Sequence, residues 1–432
     1  MSLKQLTSFI SNTQITKDLI NRINNENDLN IIGSSRYAKA LIIDGIASSE
    51  NKNILLISPS IEIAYKWFGY FQSIDSKIVL YYPPNENLPY EERTKSSEVE
   101  YSQLNIISNL IQDELNNNLN RKIIITTERA LQPHLFSKKY FLNSILTLKK
   151  GIVIEIKTLI NKLTQLGYKK EEITTNEGQW SRRGEIIDVF PVNNDVPIRI
   201  EFYDNEIEKI REYDPSNQKT LETINSINIS QSGSFYRIKK ELKNLSLENE
   251  FNLDEKSIKH NNLERFLSLI EKNPSSIKDF ININTYIIFD ELDQCKKFTE
   301  NWFKESENNF NQNKSSLNDI LKKNKIDKNI EDNLYKNHID IYEQFKDFSR
   351  INFYEFDSKL NKKNKFLLSD KPIISPNKNL IKISKEINEY IKNRNMVWIL
   401  SAQPFRTRTI LNENNCFCEY LENESNKYSS FK

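Results

Sequence analysis

IIGSSRYAKALII, Ile31 to Ile43, decides how the first third of this 432-residue chain is read. Its leading aliphatic residues belong to a short apolar run, Leu29–Ile32. Small residues follow from Gly33, and helical apolar spacing begins near Arg36. Strand, loop and helix in that order open an α/β fold. From Gly33 the spacing is also that of a phosphate-binding loop, G-x-x-x-x-G-K-[ST], with Lys39 where the motif has its lysine. Ala38, however, replaces the second glycine, and Ala40 replaces the hydroxyl residue. A methyl group cannot ligate the magnesium that accompanies a nucleotide. The Ala38 Cβ also obstructs a backbone path that suits glycine, which the phosphate-wrapping N–H groups require. The residues alone favour a structural turn leading into a surface helix, with Lys39 solvated.

Outward from this stretch the rhythm continues. ILLIS (Ile54–Ser58) and IIITT (Ile123–Thr127) have buried-strand length, and Ile78–Tyr82 is strand-like. Ile61–Ile74 and Glu98–Leu115 carry helical spacing. The alternation predicts a parallel sheet with helices on both faces. TYIIF (Thr285–Phe289) adds another strand and ends in Asp290-Glu291. That acidic pair resembles a Walker B element, whose Asp holds magnesium and whose Glu orients water. Such pairs are common at strand ends, and with Ala40 in place of a metal ligand this one has little to work with.

The middle of the chain differs. Only 8 glycines occur in 432 residues, where usual usage would give about 30. Gly151, Gly167, Gly178 and Gly184 nevertheless crowd one stretch, predicting a small turn-rich module. Ile156, Leu159, Ile160, Leu163 and Leu166 trace one helix face that ends at Gly167. In PIRIEFYD (Pro197–Asp204), Ile198, Ile200 and Phe202 alternate with Arg199, Glu201 and Tyr203, the half-buried antiparallel pattern. Asp204-Asn205 suits a hairpin turn. The compact α+β module ends near Ser232.

Inside it, Trp180, Arg182 and Arg183 stand at an expected turn between strands, with the composition of a protein-binding hot spot. The opposing reading puts Trp180 in the module core and leaves the arginines merely solvated. The residues by themselves do not separate the two. Nucleic acid is the other candidate ligand, through Arg182, Arg183 and Arg199, but Glu177, Glu185 and the acids after Asp195 dilute the positive field.

Beyond the module, residues 234–280 and 295–350 have helical pattern, and a polar stretch, Lys359–Phe366, follows. Met396–Ser401 (MVWILS) reads as a strand after a helix at Ile381–Asn393. The totals exclude several classes. With 61 basic against 59 acidic residues, no global field draws the chain to nucleic acid or to a membrane. No apolar run approaches the ~20 residues of a spanning helix. Cys295, Cys416 and Cys418 are too few for a disulfide framework, so a reducing cytosol is expected. With the scattered His134, His260 and His338 they also lack zinc-ligand spacing, so no metal is expected.

RRGEIIDVFP (Arg182–Pro191) followed by IRIEFYDNEIEKIREYDP (Ile198–Pro215) resembles a signature of UvrB, the damage-recognition subunit of excision repair, and of the Mfd family of transcription-repair coupling factors. The second fits better. ENLPYEERTKSSEVEYSQL (Glu86–Leu104), ERALQPHLF (Glu128–Phe136), LKKGIVIEIKTLINKLTQLGY (Leu148–Tyr168) and SAQPFRTRTIL (Ser401–Leu411) all look like the N-terminal, UvrB-homology region of that family, in the same order.

The resemblance implies a UvrB-like α/β fold with four parts. Residues 1–142 would form the first half of a split parallel-sheet domain, and 143–232 an inserted α+β module that binds UvrA. Residues 233–372 would be the second, largely helical half of the split domain, and 373–432 a small, truncated α/β domain. It implies a degenerate nucleotide site at Gly33, Lys39, Asp290 and Glu291, no cofactor for this chain, and UvrA contacts through Trp180, Arg182 and Arg183. Arg183 matches one UvrB arginine and Trp180 the aromatic ahead of it; Ser181 stands where UvrB has a further arginine. The implied role is recruitment of UvrA and excision repair to a stalled RNA polymerase in the bacterial cytoplasm. RNA polymerase and DNA would be met through downstream domains, and ATP and magnesium belong to the family's translocase motor. These residues contain no intact motor motif, so a fragment or short product, itself not catalytic, is expected. The alternative is a UvrB-like, ATP-dependent subunit that binds damaged DNA.

Overall fold

Serine caps and aliphatic runs set the first elements of the chain. α1 (Gln14–Asn25) leads to β1 (Asp28–Ile32), α2 (Arg36–Glu50), β2 (Ile54–Ser58), α3 (Ile61–Ser73), β3 (Val79–Tyr81), α4 (Ser97–Leu115) and β4 (Ile123–Thr127). Ser35, Ser60 and Ser96 each accept a hydrogen bond from the N–H three residues on, starting α2, α3 and α4. After α5 (Lys138–Asn143) come β5 (Leu146–Lys149), α6 (Ile156–Gln165), β6 (Lys169–Lys170), β7 (Gln179–Arg183), β8 (Ile186–Val189), β9 (Ile198–Tyr203), β10 (Glu206–Tyr213), β11 (Thr220–Ile224) and β12 (Ser226–Ile229). The remainder holds α7 (Phe235–Asn244), α8 (Leu267–Ile270), β13 (Tyr286–Asp290), α9 (Leu292–Lys323), α10 (His338–Glu343), β14 (Arg350–Tyr354), β15 (Lys365–Leu367), α11 (Leu380–Lys392) and α12 (Pro404–Glu413). The computed structural model describes residues 7, 9–74, 78–91, 96–116, 120–245, 247, 263–326, 330–355, 364–368, 380–394, 397, 399, 401 and 403–420.

Seven strands make one parallel sheet in the order β15-β1-β14-β13-β2-β4-β3. Alternate residues point to opposite faces. Leu55, Ile57, Ile124, Ile287 and Phe289 enter one core with α4, α9 and α10, while Leu56, Ile123, Ile125, Ile288 and Ile351 enter the other with α1, α2 and α3. Burial on both faces is why these strands read as unbroken aliphatic runs. β13 re-enters this sheet more than 150 residues after β4, so the parallel domain is split around the module.

β14 is a correction to the sequence reading, which carries helical pattern to residue 350 and finds no strand there. RINFY lies near the centre of the sheet, between β1 and β13, with all five residues buried. Its polar members hide it. Arg350 makes a two-pronged bond to Asp28, 2.6 Å at each oxygen, and lies over the Tyr342 ring at 4.2 Å. Asn352 donates to the Tyr342 hydroxyl at 3.1 Å and to Asn30 at 3.3 Å. Buried polar groups persist when partnered in this way.

The module has its own core. Six strands run β11-β10-β9-β8-β7-β6, antiparallel except for the β6–β7 pair, and β12 pairs with β5. Leu159 and Leu163 of α6 pack on Ile187, Val189, Ile198, Ile200, Phe202 and Ile210 of the sheet. Most of Met396–Ser401 lies outside the described residues; Val397, Ile399 and Ser401 are not in a strand. Residues 373–379 and 421–432 of the expected small domain are likewise outside them, and α11 and α12 are the elements described there.

Candidate functional site

Two places gather the residues singled out above: the carboxyl end of the parallel sheet and one end of the module. At the first, β1 hands over to α2 through only Gly33, Ser34 and Ser35. Gly33 and Ser34 both have positive φ, 88° and 65°. The helix therefore takes in Arg36 to Ala40, the positions that would wrap a phosphate. Two of these amides already have bonds: Ala38 N–H donates to Ser35 Oγ at 3.3 Å, and Lys39 N–H to Ser35 O at 3.0 Å.

Lys39 is not solvated as expected from sequence; it is 1% exposed. Its ammonium donates to the carbonyl oxygen of Tyr354 at 3.1 Å, lies 5.2 Å from the centre of the Phe353 ring, and stands 3.9 Å from Glu291. Burial pulls the Lys39 pKa down, against the attraction of Glu291 and Asp290. Burial likewise pushes the Glu291 carboxyl up, against the pull of Lys39. On both partners desolvation outweighs attraction, as a contact of 3.9 Å allows, so the pair is no strong tether.

Asp290 is fully buried, with stronger partners. Arg36 Nε–H donates to its Oδ2 at 2.7 Å, and Trp67 Nε1–H donates to the same oxygen at 2.8 Å. For Arg36, burial lowers the pKa, but the charge and hydrogen bond of Asp290 outweigh it and the net shift is upward. Trp67 in turn stacks on Phe353 with an interplanar angle of 12°. Asp290 Oδ2 thus faces a guanidinium, its Oδ1 is buried without a hydrogen-bond partner among the described residues, and Ala40, fully buried, offers no hydroxyl. This donor set does not suit magnesium. Among the described residues, no three His, Cys, Asp or Glu side chains group to hold a metal.

The structure brings Gly33, Lys39, Asp290 and Glu291 together. It adds Arg36, Trp67, Phe353 and Tyr354, which sequence reasoning missed. Arg36 lay inside the loop motif as an unspecified position, and its charge was the available signal. Phe353 and Tyr354 went unseen because β14 did.

At the module end, Trp180 is 4% exposed, packed in the core on β7. The view of it as a contact residue is corrected accordingly: it can support a surface but cannot touch a partner. Ser181 is buried too, bonded to the Thr174 hydroxyl at 3.0 Å. Arg182 and Arg183 are exposed beside the two-residue turn Gly184-Glu185, where Gly184 holds φ 62°. Arg182 Nε–H donates to Gly184 O at 2.8 Å and fixes the turn.

Strand register then supplies what the sequence had not marked. Arg183 pairs with Ile186, and Ile186 with Glu201, so Arg183 shares a face with Glu201 and, two residues on, with Tyr203. Phe202 N–H donates to Glu185 O at 3.0 Å, drawing this turn against the β9–β10 hairpin. Tyr203 is 71% exposed there. By contrast Arg199, on the same face, is held by both oxygens of Asp188 at 2.8 and 2.9 Å.

Comparison with known proteins agrees with this layout. The model of the UvrB interaction domain matches residues 146–235, and that of a cyanobacterial Mfd Rossmann-like domain matches 372–430. The transcription-repair-coupling factor of Bacillus subtilis (strain 168) is 25% identical over 331 residues, 70% of this chain and 28% of that protein. That of Staphylococcus aureus (strain bovine RF122 / ET3-1) is 27% identical over 328 residues, 70% of this chain and 27% of that protein. The chain thus spans less than a third of the length of these relatives. Among the described residues no helix is long and apolar enough to cross a membrane. Residues 146–235 are thus similar to the UvrB interaction domain, and over 70% of its length the chain is similar to transcription-repair-coupling factors.

Proposed function

We propose that this chain is an interaction region that recruits UvrA, and with it excision repair, to transcription stalled at damage, and that it does so without using nucleotide itself. The observation that carries this reading is the exposed pair Arg183 and Tyr203 on one face of a rigid antiparallel sheet. Arginine and tyrosine are enriched among residues that dominate binding energy. Short strands, a tight turn and the Asp188–Arg199 pair hold that face in place before a partner arrives, which lowers the ordering cost of association. Isothermal titration of purified UvrA into the purified chain should give saturable one-to-one heat, and Tyr203→Ala should weaken it more than tenfold. No saturable binding by the wild-type chain would reject the reading.

The alternative, a UvrB-like ATPase on damaged DNA, needs the sheet site to accept magnesium and nucleotide. Against it stand Arg36 on Asp290 at 2.7 Å, which already neutralises that carboxylate, and Ala40 in place of a hydroxyl ligand. Thermal unfolding decides: a bound nucleotide at about a hundred times its Kd adds ~2.7 kcal/mol, several degrees in melting temperature. We expect no shift with magnesium-ATP. A surface of three arginines for DNA is less favoured, since Arg199 is paired.

A further inference from the structure

The module and the split domain meet at a cleft whose chemistry the recruiting surface does not use. Its volume is about 320 Å³, within the range of small-molecule sites. One wall comes from the module through Lys162, Gln165 and Leu166; the other comes from α5 and α7 through Tyr140, Arg237 and Lys240. Three cations line it and no carboxylate does. Two acids outside the lining interact with Arg237. Glu241 bonds Arg237 at 3.0 Å, and Glu271 is close enough for Arg237 to pull against its burial.

Arg237 is held in place, its guanidinium 5.4 Å from the centre of the Tyr140 ring. Lys162 and Lys240 are exposed at the rim, and Ile145, Leu146 and Leu166 give the cleft an apolar side.

We propose that this cleft binds a phosphate monoester, its oxyanion among Lys162, Arg237 and Lys240 and its organic part on Ile145, Leu146 and Leu166. A dianion with several acceptor oxygens matches a wall of three cations better than a single carboxylate does. Both chain crossings between module and sheet, near Asn143–Leu146 and near Tyr236–Lys240, line the cleft, so an occupant would sit where the module is attached.

The test is isothermal titration of the full chain with inorganic phosphate, ribose 5-phosphate and adenosine 5′-monophosphate, at low and moderate salt. The expected result is saturable one-to-one binding, at least tenfold tighter for an organic phosphate than for phosphate alone. Lys240→Glu and Lys162→Glu, both at exposed positions, should each weaken it at least tenfold while the melting temperature holds. Absence of heat with all three probes overturns the proposal, as does binding indifferent to both charge reversals. Equal affinity for phosphate and its esters overturns the apolar half. None of these outcomes depends on UvrA binding.

Discussion

The carboxyl end of the parallel sheet and the turn end of the module both present basic side chains, and they treat them in opposite ways. At the sheet, Arg36 and Lys39 are turned inward onto Asp290, Tyr354 and Glu291. At the module, Arg182 and Arg183 remain at the surface, Arg183 on the same sheet face as the exposed Tyr203. A charge already satisfied by its own chain has little left to offer a ligand, because binding must first break what exists. The same residue types thus make a structural brace in one place and, in the proposed reading, a contact surface in the other.

The brace should fail hardest. Asp290→Ala leaves Arg36 and the Trp67 N–H without their acceptor and is expected to cost about 3–5 kcal/mol, read as a fall in the urea midpoint. An Asp290→Ala chain of wild-type stability would mean the contact is ornamental. Trp180→Ala sharpens the other side of the contrast. It should destabilise the module by about 3–5 kcal/mol, as emptied aromatic sites do. Exposed Tyr203→Ala should leave the melting temperature alone and reduce partner capture; the reverse pattern would return Trp180 to the interface.

Gly178→Ala probes the seat between the two regions. Gly178 has φ 74°, and an added Cβ would come within 2.6 Å of the Tyr101 ring on α4. A loss of about 1–3 kcal/mol is expected, with faster proteolysis at the module boundary. The smallest effect concerns Glu291. Burial, only partly offset by Lys39, holds its carboxyl above the ordinary range. A carboxyl raised in the folded state stabilises below the unfolded-state pKa, and that contribution disappears as pH rises through the folded value. Glu291→Gln should therefore lose less stability than wild type as pH rises from the ordinary carboxylate range towards neutrality, read by denaturant titration. An identical pH profile would show that Glu291 is solvated after all.

How much of this was legible follows from where side chains point. Doubly buried strands such as Ile54–Ser58 announce themselves by composition, and the alternation in Ile198–Tyr203 revealed a half-buried one. β14 escaped because Arg350 and Asn352 find their partners, Asp28, Asn30 and Tyr342, in distant parts of the chain. The four residues of the sheet site were visible as a motif, but their burial was not, since Arg36 meets Asp290 across 254 positions. Trp180 looked like a contact because its neighbours do. Tyr203 looked ordinary until the β7–β8–β9 register set it on the same face as Arg183.

The most direct test is equilibrium titration of UvrA against the wild-type chain and Arg183→Ala, with circular dichroism confirming equal folds. Removing a hot-spot arginine costs about 2 kcal/mol, so the affinity should drop roughly thirtyfold. Equal affinity for the two chains would contradict the account and move the recruiting surface elsewhere.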